Sequence, residues 1–128
     1  MGGRGSRGAG RSTGTTINTS AFENMTGSDR QVSWARDIVT SPYNAAVESL
    51  RRMKSSTGYK SGDSTSVRSA SIQERAISIY AERVNKEYLS ETPSAKKIID
   101  RRRAFGSIMS SAAEQAQGEI YEREKKRR

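Results

Sequence analysis

The chain of 128 residues contains no cysteine and no histidine. The lack of cysteine excludes disulfides, iron–sulfur clusters, thiolate zinc sites and thiol nucleophiles. The lack of histidine removes the commonest general base and the commonest transition-metal ligand. The aspartates are scattered along the chain, and no lysine interrupts an apolar stripe where burial could make it a nucleophile. We therefore expect a protein that is not an enzyme, with no catalytic residue, no metal site and no cofactor.

Large apolar residues are also few. Isoleucine, valine, leucine and phenylalanine together supply 18 of the 128 residues, below the roughly 20% at which charged chains tend towards disorder. Those present are clustered and periodic, which predicts a small folded core with disordered flanks. No apolar run approaches the roughly 18 residues of a membrane span, and the basic N-terminus lacks the apolar stretch of a secretory signal. We expect a soluble cytoplasmic protein without a membrane partner.

Positive charge, in contrast, is abundant, with 23 lysines and arginines against 14 acidic residues and a formal net charge of +9. Such an excess attracts polyanions. Residues 1–27 contain few apolar anchors and are predicted to form a disordered basic arm. Within this arm Arg4, Arg7 and Arg11 alternate with glycine, as in RGG-type segments that bind RNA or single strands. The alternative is a soluble tail or a partner-docking arm.

Local signals divide the remainder, residues 28–128, into helices. Ser28 and Gln31 have the spacing of a capping box and predict a helix that begins there. Pro42 fits poorly inside a helix but well at its first position, so it predicts the end of one helix and the start of a second. The first two helices would then form a tight pair.

The second half of the chain is predicted to begin with a flexible serine-rich loop over residues 55–70. Ser71 and Glu74 match a second capping box, which predicts the start of the third helix. Pro93, capped by Thr92, begins a long basic final helix, with a break expected near Gly106 because glycine weakens a helix interior. No segment alternates like a strand, so the predicted fold is all-α, a small bundle of four to five helices.

The densest basic block lies early in this final helix and is the principal candidate for nucleic-acid contact. Its five charges would wrap around the apolar stripe of the helix, which suits a helix lying along a phosphate groove. The alternative is a solvated face whose aliphatic stems cover apolar neighbours. Two terminal arginines would add further contacts. The predicted nucleic-acid-binding residues, besides the three of the arm, are Lys96, Lys97, Arg101, Arg102, Arg103, Arg127 and Arg128.

Aromatic residues have two predicted roles. Four of them lie on or beside apolar stripes and are predicted core residues: Trp34, Tyr43, Tyr80 and Phe105. Trp34 lies off the centre of its stripe, and the alternative is a position at the border. Tyr59, in the serine-rich loop, is a predicted exposed anchor for a protein partner or a stacking platform. The alanine-rich stripe of the last helix offers a further alternative, in which the protein self-associates as a homo-oligomer.

Two segments resemble a known group of proteins. The glycine–arginine opening, and the pattern formed by Gln31, Trp34, Ala35 and Ile38, are similar to small accessory proteins of Gram-positive phages and mobile elements; Arg30 stands where those proteins usually have lysine. The resemblance implies a mobile-element protein that acts by binding. We expect it to bind DNA, RNA or a nucleoprotein complex. The alternatives are an anti-CRISPR-type inhibitor that binds a host defence nuclease, and a self-associating assembly protein.

Overall fold

The structure, a computed structural model, describes residues 14–126 and confirms the all-α prediction. Within this part of the chain there is no strand, only an isolated bridge between Thr26 and Ser94. The elements are a short 3-10 helix Thr19–Glu23, α1 Asp29–Lys54, α2 Thr57–Lys60, α3 Ser64–Tyr88, α4 Ala95–Asp100 and α5 Ala104–Lys126.

The third helix, α3, is the centre of the molecule because it packs against both α1 and α5. Its side chains Tyr80 and Val84 are fully buried. Phe105 of α5 packs on Tyr88 with 4.7 Å between the ring centroids. Small side chains let helices approach closely, and alanine provides much of the remaining core. This explains how a chain with two leucines still forms one core. The buried alanines of that core are Ala21, Ala35, Ala76, Ala81, Ala95, Ala112 and Ala116.

The start of α1 is as predicted, but its predicted end is wrong. The Ser28 side chain accepts a hydrogen bond from the Gln31 backbone N–H, and the Gln31 side chain accepts one from Ser28 N–H. The helix then continues through Pro42 to Lys54. Proline has no N–H to donate four residues back, and the hydroxyl of Tyr80 donates to the nearby Val39 carbonyl at 2.6 Å. Packing on α3 therefore stabilises a single long helix where a helix pair was expected.

The predicted loop over residues 55–70 is wrong for most of its length. Ser56 caps the short helix α2, and the Asp63 side chain accepts from Ser66 N–H to cap α3. The third helix consequently begins at Ser64, and the capping box predicted at Ser71 lies inside it. An aspartate cap places negative charge at the positive end of the helix dipole, which favours the earlier start.

The predicted final helix is divided, but at another place than Gly106. Ser94, and not Thr92, caps α4, and residues 101–103 form the turn that separates α4 from α5. Gly106 lies inside α5, where a Cβ added to it would meet no atom within 4 Å apart from the backbone of the helix itself. The turn permits α4 to pack against α1 while α5 packs against α3, which one straight helix could not do.

The predicted boundary of the disordered arm at residue 27 is also wrong, because residues 14–27 pack on the body. Ile17, Phe22 and Met25 of this N-terminal strap are buried. Asn85 of α3 fastens it through two hydrogen bonds, accepting from Asn18 N–H at 2.8 Å and donating to the Thr16 carbonyl at 2.9 Å. These hydrogen bonds join residues 67 and 69 positions apart, so the local composition of the strap did not indicate them.

None of the helices described within residues 14–126 combines the length and the apolar character that crossing a bilayer requires.

Candidate nucleic-acid interface

The turn between α4 and α5 presents three consecutive exposed arginines: Arg101, Arg102 and Arg103. The turn is held by backbone hydrogen bonds, among them Ala104 N–H to the Arg101 carbonyl at 2.8 Å. The Arg102 guanidinium also donates to the Ile99 carbonyl at 2.9 Å. Within residues 14–126, none of the three arginines forms an ion pair with a carboxylate. Their charges thus project from a defined backbone.

Trp34 lies beside this turn and is 47% exposed, so the prediction that it is a core residue is wrong. The adjacent Ala35 and, one turn later, Val39 are buried positions of α1. Trp34 is rotated by about 100° from Ala35 and stands at the border of the buried stripe. The Arg102 guanidinium carbon lies 5.6 Å from the centroid of the Trp34 ring, within cation–π range.

Arg30 adds a further positive charge, one turn before Trp34. Residues four apart on a helix share a face, so the two side chains neighbour each other on the outer side of α1. We call Arg30, Trp34, Arg101, Arg102 and Arg103 the arginine–tryptophan patch. Arg30 and Trp34 were not among the predicted site residues. The signal that could have found them is their spacing together with the position of Trp34 off the centre of the apolar stripe.

The structure separates the two predicted lysines from the arginines, and the five charges do not wrap around one helix as expected. Lys96 donates to the Asp100 carboxylate at 2.8 Å, and this hydrogen bond raises the pKa of Lys96. Lys97 turns towards the end of α3, where it donates to the Glu87 carbonyl at 3.2 Å and lies 5.1 Å from the Tyr88 ring centroid. Both lysines have local partners, and so does Arg102. Within the described residues, the side chains of Arg101 and Arg103 form no hydrogen bond or ion pair, which leaves these two as the more available charges.

Of the remaining predicted site residues, one lies in the part of the chain that the structure describes. Arg4, Arg7, Arg11, Arg127 and Arg128 lie outside the described residues. Tyr59 is half-buried on α2, a helix and not the loop that was expected. Since α2 follows the end of α1, it is roughly 30 Å along the helix axis from Trp34.

The alanine-rich stripe of α5 does not offer the expected free surface for self-association. Ala112, Ala116 and Ile120 are buried, and α5 packs along α3 of the same chain. Self-association stays a prediction, and it would have to use a different surface of the protein.

Titratable groups elsewhere in the described residues mainly stabilise the fold. Arg75 of α3 donates to Glu119 of α5 at 2.7 Å, and this hydrogen bond, with one from Gln115, holds the pKa of Glu119 below its ordinary value. Burial raises the pKa of Tyr80, whose hydroxyl is bonded to α1. No three acidic side chains of residues 14–126 come together as metal ligands. The three exposed arginines of the patch suit binding of a polyanion.

Comparison of the chain with protein-family models, curated proteins and solved structures found no match. The class that the structure itself defines is a small all-α protein with an exposed basic and aromatic patch.

Proposed function

We propose that this chain is a non-enzymatic nucleic-acid-binding protein that uses the arginine–tryptophan patch as its principal contact. The observation that supports the proposal is a turn with three exposed arginines, Arg101, Arg102 and Arg103, beside an exposed tryptophan. These arginines form no ion pair with any carboxylate of residues 14–126. Guanidinium groups bind phosphate oxygens in a fork and stack on flat rings. The role we propose is that of a phage or mobile-element accessory protein in the host cytoplasm, acting on DNA, RNA or a nucleoprotein complex.

The distribution of charge favours this proposal over the protein-binding nuclease inhibitor. The net charge of +9 gives long-range attraction to any polyanion. Tyr59, the anchor expected for an inhibitor, is half-buried, whereas Trp34 is exposed next to cations. An exposed aromatic ring therefore lies next to arginines that form no ion pair within residues 14–126, and both belong to the patch.

The proposal is tested by measuring affinity against salt concentration for a single strand and a duplex of equal length. The double variant Arg101→Ala with Arg103→Ala should weaken binding to all sequences alike. Each lost phosphate contact makes the slope of log K against log salt shallower by about 0.7 for single strands and about 0.9 for duplex DNA. Removal of both arginines should therefore change the slope by roughly twice these values.

A matched control is the double variant Arg51→Ala with Arg52→Ala. It removes the same charge from an exposed site where both arginines are paired with Glu48, roughly 26 Å along α1 from Trp34. We expect a much smaller change of affinity and slope. Equal losses in the two double variants, or no binding by the unaltered protein at low salt, would contradict the proposal.

A further inference from the structure

We infer that the arginine–tryptophan patch binds single-stranded nucleic acid by stacking an unpaired base on Trp34, with the flanking arginines on the phosphates. The inference rests on the proposed function and specifies its ligand. The shared chemistry is an accessible base face next to a phosphodiester, which both single-stranded DNA and single-stranded RNA provide. A duplex hides its base faces between neighbouring pairs.

The exposure of Trp34 is the first observation that supports this inference. Large apolar side chains are scarce here, and burial of each contributes to the stability of the core. Even so, the only tryptophan of the chain is 47% exposed. The other exposed large apolar side chains of residues 14–126 are Val47, Val67 and Tyr121. Of the two aromatic residues in this exposed set, Trp34 has a cation over its ring, and Tyr121 has none among the described residues.

The composition of the patch is the second observation. Aromatic rings that stack bases and cations that contact the backbone are the combination found in grooves for single strands. Arg102 lies over the Trp34 ring, while Arg101 and Arg103 precede and follow it in the turn. A base stacked on the tryptophan would bring its adjoining phosphates within reach of these flanking side chains. Neither stacking on an aromatic ring nor contact with phosphates distinguishes one base from another, so we expect little base preference.

A purely structural role for Trp34 predicts something different. The contact between Arg102 and Trp34 also joins the α4–α5 turn to α1, so loss of the ring could lower stability. Lower stability alone reduces affinity for every nucleic acid in the same proportion. A stacking role instead changes the ratio of single-strand to duplex affinity, and that ratio is the quantity to measure.

The first test needs no variant, because Trp34 is the only fluorescent indole in the chain. Fluorescently labelled oligo-dT, oligo-rU and a blunt duplex of equal length are titrated with protein, and binding is followed by anisotropy. Unlabelled oligonucleotides are then added at saturating concentration while tryptophan emission is recorded. We expect quenching by one or both single strands and little by the duplex. Saturating binding of both single strands without quenching would overturn the inference.

The second test compares variants at Trp34. Loss of one base–aromatic stack by Trp34→Ala should weaken single-strand binding about 5- to 150-fold, with duplex binding nearly unchanged. Trp34→Phe should retain much of the affinity that Trp34→Ala loses, whereas Trp34→Leu, which keeps an apolar side chain beside the α4–α5 turn, should not. Tyr121→Ala, at an exposed aromatic of α5, is the matched control and should have no effect.

The two proposals fail in distinguishable ways. If Trp34→Leu binds single strands as well as Trp34→Phe does, stacking is contradicted, while the loss caused by Arg101→Ala with Arg103→Ala would still support the proposed function. If neither the tryptophan variants nor the arginine variants change affinity, both proposals are contradicted. Denaturant unfolding of each variant confirms that the compared proteins are folded.

Discussion

Gly27 determines how the N-terminal strap joins the rest of the molecule. Its φ of +134° belongs to a region that residues with a side chain rarely adopt, and a Cβ placed on it would lie 2.9 Å from the Cβ of Ala95. The carbonyl of the adjoining residue Thr26 accepts a hydrogen bond from Ala95 N–H, at the start of α4, at 3.0 Å. The positive φ and the short distance to Ala95 therefore both favour glycine at this position.

We predict that Gly27→Ala lowers the free energy of unfolding by about 1–3 kcal/mol, through backbone strain and the close contact with α4. Gly118→Ala is the matched substitution, since Gly118 lies inside α5 with nothing within 4 Å of the added methyl group. It should raise stability by about 1 kcal/mol because alanine is the better helix former. Denaturant midpoints at unchanged m-value measure both effects. Changes of the same sign at the two positions would contradict this explanation.

At the scale of the elements, the continuity of α1 depends on its contact with α3. Pro42 interrupts the backbone hydrogen bonds of the helix, yet the helix runs from Asp29 to Lys54. The Tyr80 hydroxyl reaches the Val39 carbonyl, and the Tyr43 and Tyr80 rings pack with centroids 6.5 Å apart. Tertiary contacts therefore offset the unfavourable proline.

We predict that Pro42→Ala raises the free energy of unfolding by about 2 kcal/mol, because the new N–H completes the helix while the unfolded chain gains some freedom. Tyr80→Phe should lower it by about 1 kcal/mol through loss of the buried hydrogen bond. Chemical denaturation of both variants measures these changes. A destabilised Pro42→Ala variant would mean that α1 needs the proline geometry.

At the scale of the whole molecule, two ion pairs connect the central helix to the last one. Arg75 pairs with Glu119 at 2.7 Å and Arg68 with Glu124 at 2.8 Å. All four side chains are about one-third exposed, so each pair is partly screened by solvent. The pKa of Glu119 is lowered in the folded state, chiefly by its hydrogen bond from Arg75.

We therefore predict that acid weakens the molecule partly through Glu119. A carboxyl group with a lowered folded-state pKa stabilises the fold above its ordinary pKa of 4.5, and this contribution is lost as the pH falls through the lower folded-state value. Thermal midpoints between neutral pH and pH of about 3 should fall less steeply for Glu119→Gln than for the unaltered protein. Glu114→Gln, at an exposed acid outside the ion pairs described here, is the control. Equal acid dependence in all three proteins would contradict the role of Glu119.

Much of the architecture follows from interactions between residues near each other in the sequence. The capping box of Ser28 and Gln31 is a contact across three residues, and helical periodicity is read within a few turns, so both were predictable. The same holds for the all-α fold. The sequence also identifies Arg101, Arg102 and Arg103 as a dense basic block, but it did not predict that a turn, and not a helix, presents them.

What the tertiary structure alone decided depends on residues far apart in the chain. The helix that contains Pro42 packs on α3 through Tyr80, and Asn85 of α3 binds the backbone of the strap. The patch exists because the α4–α5 turn brings Arg102 over Trp34, 68 positions earlier in the sequence. Hydrogen bonds within a turn are encoded by adjacent residues, whereas these contacts form only when the helices pack. The composition by itself determined a basic helical protein, and the packing of its helices decided which charges stand together and beside which ring.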